Sequence, residues 1–340
     1  MRYGHFLPKG GTIGFIAPSF GCNIEPYKSG FINAQKKWKK QGYQLSLGPN
    51  VYEGSGLGIS STPENCAAEF MEYYGREDND VLISCGGGEL MVEILPHVDF
   101  EKIKALPPKW FMGYSDNTNI AFLLATLADT AAVYGPCAAT FGMEPPHRSL
   151  ADAFGILTGR TKTVRNYDKW EKESLKDEDH PLVPYNLTEP FKIVSPSKED
   201  CTMEGRLLGG CLDILDLLVG TKFDRVKEFN ERYAEDGVIW FLEACDLDPM
   251  WIRRALWQLR EAGWFETAKG FLIGRPYIYG EEVMGLDQYR AVTDMLEGFN
   301  VPILMDLDIG HLPPMMPLVE GSLAKVKRKG NTIEIRMDFC

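Results

Sequence analysis

No C-x-x-C pair occurs in this sequence: its eight cysteines (Cys22, Cys66, Cys85, Cys137, Cys201, Cys211, Cys245 and Cys340) stand singly along 340 residues. Disulfide frameworks are dense and zinc sites draw on close pairs, so the thiols read as small buried side chains in a reducing compartment. No H-E-x-x-H or other compact histidine–carboxylate cluster is present, and no metal is expected. A Rossmann fingerprint and a G-x-x-x-x-G-K-[ST] loop are both absent. No apolar run reaches the roughly 18 residues of a spanning helix. The amino terminus, Met1 to Lys9, lacks the apolar core of a signal peptide, so the expected location is the cytoplasm, with no membrane partner. Positive charge is scarce: 36 Lys+Arg against 48 Asp+Glu leave −12, which phosphate backbones repel, so nucleic acid is not an expected partner.

What is present is ordinary globular composition, 44% hydrophobic and 25% charged, in a chain long enough for two average domains. The first half alternates apolar β-rich runs with helical patterns. Thr12 to Ala17 suits a buried parallel strand. Tyr27, Phe31, Ala34 and Trp38 recur at helical spacing, and Tyr43 to Leu47 reads as the next strand. Thr62-Pro63-Glu64 has the form of an N-cap, a proline at N1 and an acidic first turn. Asp80 to Cys85 is a strand running into Gly86-Gly87-Gly88. Glu89 to Leu95 is helical, Trp110 to Met112 a strand, and Asn117 to Ala128 a helix. Such alternation means βαβ units and a parallel sheet. Beyond 166–200, a run rich in charge and proline, Gly205 to Leu218 reads as a glycine turn followed by a leucine-rich helix. Gly237 to Leu242 and Gly270 to Gly274 read as strands, Trp251 to Ala262 and Tyr289 to Leu296 as helices. Leu323 to Arg336 is a hairpin turning at Gly330-Asn331. The domains expected are 1–165, an insert or linker over 166–200, and 201–340.

The sharpest local signal is Gly113-Tyr114-Ser115-Asp116-Asn117, between a strand and a helix. A serine on such a corner has its hydroxyl held out above the sheet, and the next backbone N–H points to where an oxyanion would form. The usual G-x-S-x-G has asparagine in last place here, and Ser115 could equally cap the following helix. Of the five histidines, His5, His147 and His180 lie in loops and His97 ends a helix. His311 follows the apolar strand Pro302 to Met305, where open α/β sheets bind ligands. A carboxylate should orient that imidazole. Glu243, at the end of Val238 to Leu242, is the candidate, with Asp246, Asp248, Asp306 and Asp308 as rivals. The Gly86–Gly88 loop reads either as a phosphate cradle or as a second oxyanion donor beside the Asp116 N–H.

Taken together, Gly11 to Ser19, Cys85-Gly-Gly87, Gly113 to Asp116, Tyr134-Gly-Pro136, Leu207 to Gly210, Phe241-Leu-Glu243 and Asp308 to His311 resemble the LD-carboxypeptidase family of serine peptidases, which includes microcin C immunity peptidases. The resemblance implies a Ser–His–Glu triad of Ser115, His311 and Glu243, with the Gly87 and Asp116 amides as oxyanion hole. Substrate contacts are expected at Gly86, Tyr114 and Trp170. It also implies a cytoplasmic homodimer without metal or cofactor. The fold class expected is α/β, with an amino-terminal parallel-sheet, flavodoxin-like domain bearing the nucleophile and a smaller carboxy-terminal α/β domain bearing the other two.

Three cysteines depart from the family pattern. Cys211 stands where asparagine is usual, Cys66 where arginine is usual, and Cys85 where the murein-trimming enzymes tend to have arginine. That last departure, with Tyr167, Trp170 and Tyr185 in the insert for stacking on a base, favours a peptidyl- or aminoacyl-nucleotide substrate of the microcin-immunity kind. A murein tetrapeptide losing its terminal D-alanine is the alternative. A two-lobed, non-catalytic binder of a small molecule is the competing class.

Overall fold

The computed structural model describes residues 1–339 and divides into two compact units. Met1–Thr161 with Glu173–Asn186 make the first, and Lys162–Lys172 with Leu187 onward the second. The segment 166–200 is thus shared between them.

In the first unit the apolar runs become β1 (Thr12–Ile16), β2 (Gln44–Leu47), β3 (Val81–Ser84), β4 (Trp110–Gly113) and β5 (Val133–Tyr134). They lie in the order β2-β1-β3-β4-β5 with every neighbouring pair parallel, which is the flavodoxin order. The chain reverses direction of growth between β1 and β3, so the carboxyl ends of those strands flank the crevice where such sheets bind ligands. The helices are α1 (Tyr27–Lys40), α2 (Pro63–Gly75), α3 (Phe100–Ala105), α4 (Thr118–Thr126) and α5 (Arg148–Leu157). Thr62 caps α2, accepting the Asn65 N–H at 3.3 Å, with Pro63 at the first helical position. Phe15, Phe31, Trp38, Phe141 and Phe154 form one aromatic chain beneath α1. Each such ring contributes roughly 1.5–3 kcal/mol through burial.

The second unit contains β6 (Thr163–Arg165), β7 (Lys169–Trp170), β8 (Glu189–Pro190), β9 (Cys201–Cys211), β10 (Val238–Glu243), β11 (Ala268–Gly274), β12 (Glu282–Val283), β13 (Leu286–Asp287), β14 (Ile303–Leu307), β15 (Leu318–Val319), β16 (Leu323–Lys329) and β17 (Thr332–Asp338). Its main sheet runs β14-β11-β10-β9-β16-β17-β6, parallel from β14 to β9 and antiparallel onward. The expected hairpin is β16–β17, and Gly330 at its turn has φ 55°. Helices α6 (Leu212–Leu218), α7 (Val226–Arg232), α8 (Pro249–Glu261) and α9 (Gln288–Leu296) complete the unit. Asp248 and Asp287 cap α8 and α9.

Two expectations need correction. In 205–218 the leucine-rich helix forms at Leu212–Leu218, but the expected glycine turn before it is the end of an eleven-residue strand, β9. Gly209 is a spacer rather than a turn, since an added Cβ would come within 1.7 Å of the Phe241 carbonyl on β10. The helix expected over Glu89 to Leu95 is a 3-10 helix at Met91–His97, with Pro96 inside it. Proline has no N–H to give an α-helical ladder.

Glu320 is fully buried, and its only hydrogen bond among the described residues comes from the Gly209 N–H at 3.2 Å. Burial pushes its carboxyl well above the ordinary range, against the pull of that amide. The folded protein therefore favours the protonated acid. Stability from this group is full below the unfolded carboxyl range and is lost as pH rises toward the folded value. In thermal melts from about pH 5 to about pH 8, the wild type should lose Tm more steeply than Glu320→Gln. Equal slopes would show that Glu320 does not titrate across the transition.

Candidate active site

In the first unit β4 ends at Gly113, and Ser115 follows with φ 62°, a left-handed conformation for a residue with a Cβ. Such a position costs of order 1–3 kcal/mol and persists only where its surroundings fix it. Here Asn117 does so. Its Nδ2 donates to the Gly86 carbonyl at 2.9 Å and the Tyr114 carbonyl at 3.1 Å, which ties the corner to the glycine loop after β3. The Ser115 N–H donates to the Tyr134 hydroxyl at 3.3 Å. Gly113 has no Cβ for a plain reason: one would sit 2.8 Å from the Asn117 side chain. Asparagine in place of the usual final glycine is thus the clamp of this corner. Ser115 does not occupy the cap of α4, because that position is Asn117.

The Gly86–Gly88 loop is held against the same corner. The Gly87 carbonyl accepts the Phe20 N–H at 2.7 Å, and a Cβ added at Gly87 would lie 3.3 Å from Ser115 Cβ and 3.4 Å from its Oγ. At Gly88 a Cβ would meet Ser19 Oγ at 2.2 Å. Asp116 is buried, and its carboxylate accepts from Ser19 Oγ at 2.5 Å, the Met91 N–H at 3.0 Å and Asn119 Nδ2 at 3.1 Å. Burial pushes that carboxyl up to about 6, while the bonds from Ser19 and Met91 oppose it. The side chain therefore anchors the turn. Ser115, Asp116, Gly86, Gly87 and Tyr114 all lie at the carboxyl ends of β3 and β4.

The second unit carries the other two expected residues, and they meet. His311 Nδ1 lies 2.8 Å from Glu243 Oε2. Glu243 is 1% exposed at the end of β10, a strand buried along its whole length. Glycines make the approach possible. Gly310 has φ 95°, and a Cβ there would reach 2.4 Å from the same Glu243 oxygen. A Cβ on Gly274 would reach 2.2 Å from the Ile309 carbonyl and 2.9 Å from Glu243 Cβ. Burial pulls the imidazole's affinity for a proton down, but the Glu243 charge, with help from Cys245, outweighs it and holds His311 well above its ordinary value. Three of the four rival carboxylates have other work. Asp248 caps α8, Asp308 pairs with Arg275, and Asp306 accepts from Tyr279, Tyr289 and Gln288.

Trp170 is not placed as expected. It is 5% exposed, with its ring over the Arg275 guanidinium at 4.8 Å and edge-on to Tyr279 at 4.9 Å, so its faces are used within its own unit. Tyr185 packs on His147 in the first unit. Sequence reasoning missed Asp213, whose carboxylate accepts the N–H groups of Cys245 at 3.0 Å and Asp246 at 2.8 Å and so pins the loop after Glu243. An acidic residue in the first turn of α6 was the available signal. Among the described residues no group of three or more potential ligands could hold a metal ion, and no helix is long and apolar enough to cross a membrane.

Gly87→Ala tests the closeness of the loop to Ser115. The neighbour must yield by a few tenths of an ångström, so the protein should melt near the wild-type temperature, yet Ser115 should react about 10- to 100-fold more slowly with a fluorophosphonate. Unaltered labelling would remove Gly87 from the site.

Models of the LD-carboxypeptidase family match this chain twice, the N-terminal domain over residues 13–135 and the C-terminal domain over 204–326. The microcin C7 self-immunity protein MccF of Escherichia coli is 27% identical, across 98% of this chain and 95% of that protein. A probable murein peptide carboxypeptidase of Bacillus subtilis (strain 168) is also 27% identical, across 97% of this chain and 92% of its own length. The solved structure of MccF in complex with aspartyl sulfamoyl adenosine shares the fold, with a TM-score of 0.80 at 24% identity over 99% of this chain and 98% of that one. With both domains matched in order, this chain belongs to the LD-carboxypeptidase family of serine-type peptidases.

Proposed function

We propose that this hydrolase cleaves an amide through an acyl-enzyme, with Ser115 as nucleophile, His311 as general base and Glu243 as the carboxylate that orients it. The observation that carries the reading is the 2.8 Å contact of His311 Nδ1 with buried Glu243. That bond fixes the tautomer, so Nε2 is the nitrogen that takes the Ser115 proton. The serine oxygen then forms its bond to the amide carbon, and the carbonyl oxygen becomes an oxyanion held by the Gly87 and Asp116 N–H groups. His311 passes the proton to the leaving nitrogen as the C–N bond breaks. Water, deprotonated by the same imidazole, releases the acid and restores the serine.

The substrate proposed is a peptidyl- or aminoacyl-nucleotide amide, as in the sulfamoyl adenosine complex of MccF. Cys85 supports this choice. Where murein-trimming relatives tend to carry arginine, this chain has a fully buried thiol whose pKa burial raises well above the ordinary value. A neutral group there gives a terminal D-alanine carboxylate no partner. Tyr114 and Gly86, beside Ser115, are the proposed substrate contacts. The reading includes a cytoplasmic homodimer, as in the family.

Ser115→Ala should leave the fold intact and lower turnover by several orders of magnitude. Supplied with an aminoacyl-sulfamoyl-adenosine and a murein tetrapeptide, the wild type should hydrolyse the first. Exclusive cleavage of the tetrapeptide would overturn the substrate class and leave the triad standing.

Glu243→Gln tests the orienting carboxylate. Loss of that charge should cost about 10³–10⁴ in kcat. Because the carboxylate holds the His311 pKa up, its removal should also shift the acid limb of the kcat/KM profile to lower pH. A near-wild-type rate, or an unmoved limb, would point to another carboxylate.

A further inference from the structure

Arg275 follows β11 and is 1% exposed, an unusual place for a guanidinium. Its bonds all go to one short segment. Nη1 donates to the Asp306 carbonyl at 2.8 Å, and Nη2 donates to the Asp308 carboxylate and, at 3.4 Å, to the Leu312 carbonyl. Its own N–H reaches the Leu307 carbonyl at 3.3 Å. These acceptors stand on both sides of His311 in the chain. The other Asp308 oxygen accepts the Tyr167 N–H at 2.7 Å, and the Glu171 N–H donates to the Pro313 carbonyl at 2.8 Å. Trp170, between those two residues in sequence, covers the guanidinium face.

The backbone that Arg275 grips is bent at two points. Asp306 has φ 61° inside β14, and Gly310 has φ 95°. A loop with two left-handed residues needs outside contacts to hold one conformation. A fork with several donors in fixed geometry supplies them, whereas a lysine offers one mobile point of charge. Stability alone is a weak reason for such a pair, because a buried ion pair is commonly matched or bettered by apolar side chains of similar volume.

We propose that Arg275 is a positioning residue for the reaction: bridging Asp306, Asp308 and Leu312 under Trp170, it sets the path of the loop and so the aim of the His311 imidazole at Glu243. This rests on the reading of His311 as the general base. Arg275 touches no reacting atom and acts through the loop.

Two variants of the full chain separate aim from stability. Arg275→Lys keeps the charge and loses the fork. Arg275→Met with Asp308→Asn removes both charges together and keeps an acceptor for the Tyr167 N–H, so it should melt within a few degrees of the wild type. In both, kcat should fall about 100-fold, the cost of an ångström-scale misplacement, with KM within about threefold of the wild type. The far-downfield proton resonance of the His311 Nδ1–H bonded to Glu243 should broaden or vanish in both. A double variant with wild-type Tm and a kcat within about twofold of wild type would overturn the proposal. So would an unaltered downfield resonance in folded Arg275→Lys, and that outcome holds whether or not Ser115 proves to be the nucleophile.

Discussion

Keeping a carboxylate ionised at 1% exposure costs several kcal/mol of lost hydration, and the hydrogen bond between Glu243 and His311 offsets it. Much of the second unit is arranged to allow that one contact. The parallel order β14-β11-β10 sets the ends of three strands side by side. Glu243 ends β10, Gly274 ends β11, and the segment after β14 descends through Gly310. Any side chain on either glycine would displace the carboxylate or the backbone covering it. The bond works in both directions, since the imidazole compensates a buried negative charge and the carboxylate raises the proton affinity of the imidazole.

The first unit solves a different problem by different means. Its expense is conformational: Ser115 is held at φ 62°. Two bonds from the Asn117 amide, each with a net worth of about 1 kcal/mol, are of the size needed to hold that strain. Because one of them reaches Gly86, the corner and the glycine loop form a single rigid piece. On the proposed reading, in which the Gly87 and Asp116 N–H groups hold an oxyanion, this coupling is the stiffness such donors need, since they have value only if they need not reorganise during the reaction.

Most of the strands and helices were legible in the sequence because their patterns are local. An apolar run between Gly11 and Pro18 can be little else than β1, and Thr62-Pro63-Glu64 announced its helix through cap chemistry that the structure reproduces. The signals that misled were those whose meaning lies across the sheet. Gly209 and Gly210 look like a turn until β10 is known to lie beside them, with Phe241 against Gly209. Asp308 reads as a rival to Glu243, and only the fold makes it the partner of Arg275. Trp170, in a charged segment, suggested a ring open for stacking, yet an arginine distant in sequence takes its face. Asn117 read as a flaw in the elbow motif, and its function appears only once the Gly86 carbonyl is beside it.

The thiols that depart from the family pattern follow one electrostatic rule. Cys66 is buried against Ser60 Oγ at 3.2 Å, and Cys85 is buried at the end of β3. Burial raises the pKa of both, so neither replaces the charge an arginine would bring. Cys211 stands in a harder place, with Glu243 and Asp213 as neighbours. Burial and those two carboxylates push its pKa well above the ordinary value. It therefore keeps its proton and can donate it to Asp213 at 3.2 Å. A thiolate there would be a second anion competing for the His311 proton. A protonated thiol instead supports the carboxylate that pins the loop behind Glu243, so an uncharged cysteine fits beside the dyad where an ionised one would not.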